Sequence, residues 1–550
     1  MLADLIVTNG RVLTMDDARP RAEAVAIAAG KVLAVGAASE IAALAGPGCR
    51  VIDVCGRSVL PGFVESHMHL GMGGAELLHL HLDTLHGEDK LRAAYEVYAA
   101  AHPGTGMLMA EGADYHILGR EITRHDLDAF TGDRPFAMRA MDHHTVWGNT
   151  AALSAAGLLR GKATPPGHEV VMGADGLASG ELREFEAFAP MLGLAGIERI
   201  NLGIATGMEP VAPSAADRAT DKDHFARGLA HAAAHGITTI VNMDGNRYTL
   251  ELLAELQAEG RLTARVVVPF HFKPEMGLEA LDRAAAMARD YQGDWLRSGF
   301  VKMFMDGVVD SRTAFMLEDY PGTSARGAPL FDPERFKSIC AEIDRRGLQI
   351  AVHSVGDGAV RTVIDGYAAA QALNGARDSR HRIEHIELIA RADVPRLKAL
   401  GITASVQPPH PPGVMDFPIA AMDTVFHRAR WKDAYLWKSL DTATAYASDW
   451  PITDINVMRG MQAALTRARF DAGCTDERLS REETLHAYTD RGAWAAHMEH
   501  VTGRLVPGLA ADLVVVDGDI EAILAGKLGT TGIALTVAGG KITHQAAGIV

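Results

Sequence analysis

His67 and His69 form a His-x-His pair at the end of the apolar segment LPGFVES. Side chains two residues apart on a β-strand point to the same face, so both imidazoles can reach one cation. A lone His-x-His pair also arises by chance or as an ordinary surface pair. The apolar segment before it favours a strand whose end holds a metal ion.

Polar residues interrupt other apolar segments in the same way. They are Lys302 in VKMFMDG, His353 in AVHSVGD, His385 in RIEHIEL and Asp449 in ASDWP. A single histidine in such a segment is more often structural than a ligand. Taken together with the His-x-His pair, these residues supply the nitrogen and carboxylate ligands that divalent cations prefer. The set therefore predicts a metal centre.

Lys302 has several explanations, because a lysine inside an apolar strand is costly unless its charge is compensated. Its aliphatic stem can carry the ammonium group to solvent, or the ammonium can pair with Asp306. Its amine can also be carboxylated to a carbamate that bridges two cations. In a metal-free barrel the same amine would be a Schiff-base nucleophile. The residue pattern leaves these possibilities open.

The elements that position these residues are short apolar segments that alternate with helical ones. Such alternation predicts βαβ units, and eight in succession predict a closed (β/α)8 TIM barrel of the α/β class. Barrel active sites lie at the carboxyl ends of the strands, where the candidate ligands occur. The predicted strand segments are VLPGFVESHMHL (59–70), GITTIVNMD (236–244), ARVVVPFHF (264–272), GFVKMFMDG (299–307), GLQIAVHSVGD (347–357), RIEHIEL (382–388), GITASVQPP (401–409) and ATAYASDWP (443–451).

The flanking segments predict further domains. Residues 1–60 and 496–550 have short apolar runs separated by Gly, Asn and Asp turns, with Asn9-Gly10 as a hairpin turn, and predict one composite β-sandwich built from both termini. Residues 61–80 and 221–495 form the predicted barrel. The gap after the first strand is too long for one loop, so residues 81–220 are predicted to form an inserted α+β subdomain.

The amino-acid composition and net charge limit the classes of partner that the protein is expected to bind. The net charge of -16 excludes a basic face for nucleic acid and disfavours anionic membranes. The four cysteines do not form a disulfide framework and are interpreted as reduced thiols. The N-terminal segment lacks the pattern of a signal peptide, and no apolar run approaches the roughly 20 residues of a membrane span. These features predict a soluble cytoplasmic protein without a nucleic-acid or membrane partner.

Taken as a set, these motifs resemble those of the amidohydrolase superfamily, and within it the branch that includes N-substituted formamide deformylases. LPGFVESHMH resembles the first-strand motif, and VKMFMDG, AVHSVGDGAV, RIEHIEL and SDWP resemble the later ones. DLIVTNGRVLTMD and GRLVPGLAADLVVVD are similar to its composite β-domain, and MDHHTVWGNTAAL to part of its insertion. The resemblance covers nearly the whole chain.

The resemblance implies a role for each candidate ligand. His67 and His69 match the ligands of a first metal, and His353 and His385 match those of a second. Lys302 matches a bridging, often carboxylated lysine. Asp449 matches the carboxylate that contacts metal and transfers the proton. Glu65 is a departure, because an aspartate is usual there, and it is expected to alter only the surroundings of the ligands.

Substrate contacts are predicted at residues that the loops bring to the barrel mouth. Arg312, after the fourth strand, is a candidate carboxylate ligand, with a solvent-facing arginine as the alternative. His144 and Asn149 in the insertion are candidates to cover the pocket, with turn and capping roles as the alternative. His410, after VQPP, is expected to face the mouth.

The predicted function is a metal-dependent hydrolase that cleaves a non-peptide amide-type C–N bond of a small molecule, with one or two divalent cations, zinc being expected. An ester, carbamate or lactone is the alternative substrate for the same chemistry. A catalytically inactive binding barrel is a further alternative, disfavoured by the complete ligand set. A homodimer is expected by analogy with other barrels.

Overall fold

A computed structural model describes residues 1–549 except 83–84, 105, 142, 165–167, 416 and 418. The chain divides into two compact units. One contains Met1–Leu70 and Leu229–Val550, and the other contains Gly71–Gly228. Helices Leu70–Glu76 and Ala215–Ala234 cross the two division points along the chain.

The first unit contains a sheet of eight strands, in which each strand pairs with the next in parallel. All eight predicted segments contribute a strand, which confirms the (β/α)8 barrel. We number these barrel strands one to eight in chain order. They are Phe63–Met68, Ile237–Asn242, Arg265–His271, Leu296–Phe304, Gln349–Ser354, Arg382–His385, Thr403–Val406 and Thr444–Tyr446.

Backbone hydrogen bonds beyond the end of strand eight close the barrel against strand one. The amide of Asp449 donates to the carbonyl of His67 over 2.9 Å, and the amide of His69 donates to the carbonyl of Trp450 over 2.7 Å. The backbone therefore joins the His-x-His pair directly to the segment that carries Asp449. Closure brings together residues that lie nearly 400 positions apart in the sequence.

Helices cover the outside of the barrel. Pro333–Arg345 shows how the sequence specifies one: Asp332 accepts a hydrogen bond from the amide of Arg335, and proline occupies the first turn. Its buried residues Phe336, Ile339 and Ile343 recur at helical spacing and face inward. The other helices that lie wholly in this unit are Ala38–Ala42, Arg247–Ala258, Leu281–Asp290, Asp357–Asn374, Val394–Ala399, Ala421–Val425, Val457–Thr466, Arg481–Ala487 and Asp490–Ala495, with 3-10 turns Leu278–Ala280, Arg428–Asp433 and Ala525–Thr530.

Strands from both termini form two further sheets in the first unit, as the composite β-domain predicts. The six-stranded sheet combines N- and C-terminal strands, since Ser58–Pro61 pairs antiparallel with Leu513–Val516. Its remaining strands are Arg11–Leu13, Arg21–Ala22, Ile533–Ala538 and Lys541–Gln545. The four-stranded sheet contains Ala3–Thr8, Ala24–Ala28, Lys31–Gly36 and Ala45–Asp53.

The predicted Asn9-Gly10 hairpin is wrong. The strands on either side of this turn, Ala3–Thr8 and Arg11–Leu13, belong to different sheets and do not pair with each other. Asn9 does adopt a positive φ of 56°, as a tight turn requires. The turn therefore passes the chain from one sheet to the other.

The unit Gly71–Gly228 is a six-stranded mixed sheet with helices, and it contains the segment predicted as an α+β insertion. Its strands are Leu80–His81, Leu108–Ala113, Phe136–Ala140, Thr145–Gly148, Glu169–Met172 and Ala178–Arg183. Its own helices are Glu88–Ala101, Arg124–Thr131, Thr150–Ala155, Phe185–Leu194 and Glu198–Thr206. Across the described residues of both units, no helix has the length and apolar character to cross a membrane.

Candidate active site

The carboxyl ends of strands one and eight bring His67, His69 and Asp449 together. One carboxylate oxygen of Asp449, Oδ1, lies 3.2 Å from Nε2 of His67 and 3.1 Å from Nε2 of His69. All three side chains are buried. Ligands about 2.1 Å from one tetrahedral cation lie about 3.4 Å apart, so these separations suit a shared metal ion.

The opposite ring nitrogens are held by carboxylates. Nδ1 of His67 lies 2.7 Å from Oε2 of Glu384, and Nδ1 of His69 lies 2.5 Å from Oδ1 of Asp244. A proton on each Nδ1 leaves the Nε2 lone pairs free to bind a cation. Oδ1 of Asp449 is buried and makes no hydrogen bond to a described residue, so this oxygen also fits a ligand position.

The carboxylates around His67, His69 and Asp449 favour the binding of positive charge. Burial lowers the pKa of an imidazole, but the carboxylates of Asp244 and Asp449 outweigh it and raise the pKa of His69 to about 10. Burial would raise the pKa of Asp449, yet the nearby imidazoles, that of His67 first, hold it well below its ordinary value. A buried site that attracts a proton this strongly is suited to a divalent cation, which supplies the missing charge.

His385 and His410 lie on the other side of Asp449. Nε2 of His410 is 3.6 Å from Oδ2 of Asp449, and one nitrogen of His385 completes a group whose ligand atoms all lie within 4.8 Å of one another. Nδ1 of His385 lies 2.9 Å from Oε1 of Gln407. His410, predicted as a substrate contact, thus belongs to the buried cluster.

A family model described as "Amidohydrolase family" matches residues 50–544. The chain belongs to the amidohydrolase family. It is a metal-dependent hydrolase, as the motifs at the strand ends predict.

Proteins of similar sequence and structure match this chain over nearly its whole length. The Arabidopsis thaliana protein LONG AFTER FAR-RED 3 is 29% identical, with 94% of this chain and 87% of that protein covered. The N-substituted formamide deformylase of Arthrobacter pascens is 24% identical, with 100% of this chain and 99% of that protein covered. A solved structure of an uncharacterized metal-dependent hydrolase from Pyrococcus horikoshii superposes with a TM-score of 0.74 at 23% identity, covering 95% of this chain and 99% of that one. This likeness supports the barrel fold.

Lys302 lies in strand four of the amidohydrolase barrel. Its side chain is fully buried, so the ammonium group does not reach solvent. Its Nζ has no hydrogen-bond partner among the described residues, so the alternative in which it pairs with Asp306 is not the one formed. Burial lowers the pKa of the Lys302 amine to about 8. Its Nζ also lies 5.0 Å from the centroid of the Phe304 ring.

Asp306 instead organises the loops after strands four and five. Its carboxylate accepts hydrogen bonds from the amides of Phe315, Val355 and Gly356 at 2.9–3.0 Å. These backbone donors and the buried carboxylate satisfy one another, which explains why the side chain turns away from Lys302.

Removal of this carboxylate should destabilise both loops. We expect Asp306→Ala to lower the free energy of unfolding by about 3 kcal/mol, because three amides lose their acceptor. Asp306→Asn should cost much less, since burial already raises the pKa of Asp306 to about 7 and favours the neutral form. Native-state hydrogen exchange in strand Gln349–Ser354 would measure both variants, and equal costs for Ala and Asn would contradict this assignment.

His353, at the end of strand five, contacts the cluster from the side. Its Nε2 lies 3.0 Å from the carbonyl oxygen of Gly307, and its ring centroid lies 4.5 Å from that of His385. A proton on Nε2 leaves Nδ1 as the nitrogen available to a cation. The role of His353 as a ligand of the second metal stays a prediction.

The remaining predicted substrate contacts lie outside this cluster. Arg312 is exposed in the loop after strand four, with a positive φ of 59°. In the inserted unit, half-buried His144 lies 2.9 Å from Oε2 of Glu184. Asn149 is fully buried and caps helix Thr150–Ala155, which favours the capping alternative for this residue.

Asn149 uses its whole side-chain amide within that unit. The oxygen accepts from the amides of Phe136 and Ala152, and the nitrogen donates to Thr131 and Arg134. Both donors and the acceptor are thus engaged in the fold. No hydrogen-bonding capacity is left for a substrate.

Sequence reasoning missed the residues that orient the ligands, Asp244, Glu384 and Gln407. Each is a polar residue at the end of a buried strand, which was the signal available for them. Glu65 is the departure from the family pattern. Its Oε1 accepts the amide of Ser448 over 2.8 Å, and burial raises its pKa to about 8. It therefore supports the segment that leads into Asp449.

Proposed function

We propose that this amidohydrolase cleaves a non-peptide amide-type C–N bond, of the N-substituted amide or formamide class, with zinc as its metal. The observation that carries the proposal is the position of Asp449. One oxygen of this carboxylate lies 3.2 and 3.1 Å from the Nε2 atoms of two imidazoles, close to the spacing of ligands that share one metal ion, and the other lies on the side of His385 and His410. The full-length likeness to an N-substituted formamide deformylase supports the substrate class.

The mechanism follows from what the residues can hold. A divalent cation at such a site lowers the pKa of water toward about 7 and polarises a carbonyl group. Glu384 and Asp244 keep His67 and His69 in the tautomer that presents Nε2. Asp449 accepts the proton of the attacking water and delivers it to the nitrogen of the leaving amine. Amines leave poorly unless they are protonated, so amide cleavage needs this proton transfer.

Zinc suits the ligands present. Imidazole nitrogen and carboxylate oxygen are its usual partners when sulfur is absent, and His67, His69 and Asp449 supply them. Catalytic zinc sites keep three protein ligands and leave one position for water or substrate. The second predicted set, His353 and His385 with a carboxylated Lys302, would hold a second cation beside the first.

Carboxylation of Lys302 has a direct test. We expect protein prepared with ¹³C-labelled bicarbonate and zinc to show a carbamate carbon resonance, because burial lowers the pKa of the Lys302 amine to about 8 and so raises the neutral fraction that reacts with CO2. Lys302→Met should lack the resonance. Lys337, which lies half-buried beside Glu334 and outside the barrel strands, offers the matched control Lys337→Met, which should keep it. A wild-type spectrum without the resonance would leave Lys302 as an unmodified amine.

A substrate panel tests the reaction. Metal-free protein, zinc-restored protein and Asp449→Asn are assayed against N-substituted formamides, larger N-substituted amides, esters, carbamates and lactones. We expect turnover of the formamides and amides only with metal. Faster ester, carbamate or lactone cleavage would move the proposal to that bond. If metal is bound but no compound is cleaved, the inactive binding barrel is favoured.

The Schiff-base alternative is separated by borohydride trapping. A carbonyl compound that is reduced onto Lys302 in metal-free protein would show that the amine is the nucleophile. We expect no such adduct, because this mechanism gives the clustered imidazoles of His67 and His69 no role.

A further inference from the structure

His410 lies at the end of the segment that follows strand seven. Its amide donates to the carbonyl of Gln407 over 3.0 Å, which forms a turn at the barrel mouth. The side chain is 7% exposed. Its Nε2 is buried and makes no hydrogen bond to any residue that the structure describes. A buried imidazole nitrogen without a partner is costly, so it calls for an explanation.

This nitrogen faces Asp449. Nε2 of His410 lies 3.6 Å from Oδ2 of Asp449, while Oδ1 of the same carboxylate faces the His67 and His69 pair. The two oxygens of one carboxylate thus face two separate sets of imidazoles. A separation of 3.6 Å is too long for a hydrogen bond but close to the roughly 3.4 Å expected between ligands of one tetrahedral cation.

His385 lies on the same side. Its Nδ1 lies 3.9 Å from Oδ2 of Asp449, its Nε2 is buried without a hydrogen-bond partner among the described residues, and its ring stacks on that of His410 at 5.8 Å with an interplanar angle of 8°. The ligand atoms of His385, His410 and Asp449 all lie within 4.8 Å of one another. One nitrogen from each imidazole and one oxygen of the carboxylate are thus close enough to serve as ligands of one cation.

The outer nitrogen of His410 is held as those of the other ligands are. Nδ1 of His410 lies 3.4 Å from Oε1 of Glu387, and the hydroxyl of Tyr435 donates to Oε2 of Glu387 over 3.0 Å. A proton on Nδ1 therefore faces a carboxylate that Tyr435, between strands seven and eight, holds in place. This arrangement presents Nε2 in the form that binds metal.

We propose that His410 is a ligand of a second divalent cation, together with His385, beside Oδ2 of Asp449. This inference rests on the proposed function, because it assumes the first cation at His67 and His69. It gives His410 a different role from the substrate contact expected from the sequence. It also adds a ligand to the second position beside those that the family resemblance implies.

The test is metal binding rather than activity. Metal-free wild type and variants are titrated with Zn²⁺ by isothermal calorimetry, and metal is counted by mass spectrometry after gel filtration. We expect wild type to bind two equivalents. His410→Asn should keep the first and bind the second at least 100-fold more weakly. Glu387→Gln, which keeps the ligand nitrogen but weakens its support, should lose about 10- to 100-fold at the second site alone.

The matched control is His427→Asn, at an exposed histidine whose Nε2 contacts the carbonyl of Asp319, and it should bind as wild type does. Two unchanged equivalents in His410→Asn, or one equivalent in wild type, would overturn the inference and leave the hydrolase proposal standing. No bound metal in wild type would overturn both. Thermal unfolding of each metal-free variant shows whether a loss of binding comes from misfolding, and Glu387→Gln then decides.

Discussion

Asp449→Asn is expected to lower kcat by about 10³-fold while the protein keeps most of its metal, because a positioned general base and acid contributes about 10²- to 10⁴-fold. Asparagine has the same shape, and its amide oxygen can still face His67 and His69. It cannot accept the proton of water or return one to the leaving nitrogen. The backbone hydrogen bond from residue 449 to the carbonyl of His67 does not involve the side chain and is kept.

The measurement pairs kcat with metal content on the same preparation, using the N-substituted formamide that wild type cleaves fastest. Asp441→Asn is the matched control, because Asp441 lies exposed beside Lys398 at 3.1 Å and also has a positive φ. It should behave as wild type. Near wild-type turnover in Asp449→Asn would remove the proton-transfer role, whereas equal losses of metal and activity would make Asp449 a ligand alone.

The barrel and the positions of its polar residues were predictable because both follow from local patterns. A strand repeats every two residues, so His67 and His69 share a face wherever the strand lies. Parallel strands in chain order place their carboxyl ends at one edge, so His385 and Asp449 were expected near that pair. The eight strands and the first cluster agree with this reasoning.

The contacts that choose one ring nitrogen over the other were not predictable. Glu384 lies 317 positions from His67, and Asp244 lies 175 positions from His69. Nothing in either segment specifies which polar side chain faces the ligands. The side-chain conformations in the closed barrel determine which polar group contacts each ligand. The conformation of His410 likewise places its Nε2 near Asp449.

The wrong prediction at Asn9-Gly10 and the rejected alternative at Lys302 share one cause. Asn9-Gly10 has the residues of a hairpin turn, but the strands on either side find partners in different sheets. Lys302 has Asp306 four residues away, but three backbone amides take that carboxylate. In both cases a local pairing competes with distant groups that satisfy more hydrogen bonds. The sequence does not show which distant groups these are.

Asp512→Ala is expected to lower the free energy of unfolding by about 3–5 kcal/mol, because it leaves a buried guanidinium without its counter-charge. Arg265, at the start of strand three, donates to both carboxylate oxygens of Asp512, at 2.7 and 3.2 Å. Thr502 and the amide of Gly539 donate to the same carboxylate at 2.7 and 2.6 Å. Asp512 thus joins the barrel to the C-terminal strands.

The matched control is Asp517→Ala, five residues along the chain. Asp517 pairs with Arg57 at 2.8 Å, but its side chain is 57% exposed, and exposed pairs contribute about 0–1 kcal/mol. Native-state hydrogen exchange in strand Leu513–Val516 measures both variants and avoids treating a chain of two units as a single transition. Similar losses for Asp512→Ala and Asp517→Ala would mean that burial does not determine how much the ion pair of Arg265 and Asp512 contributes to the free energy of unfolding. A large loss for Asp512→Ala alone would show that the terminal strands depend on the barrel through one buried carboxylate, so the β-domain and the active-site barrel would unfold together.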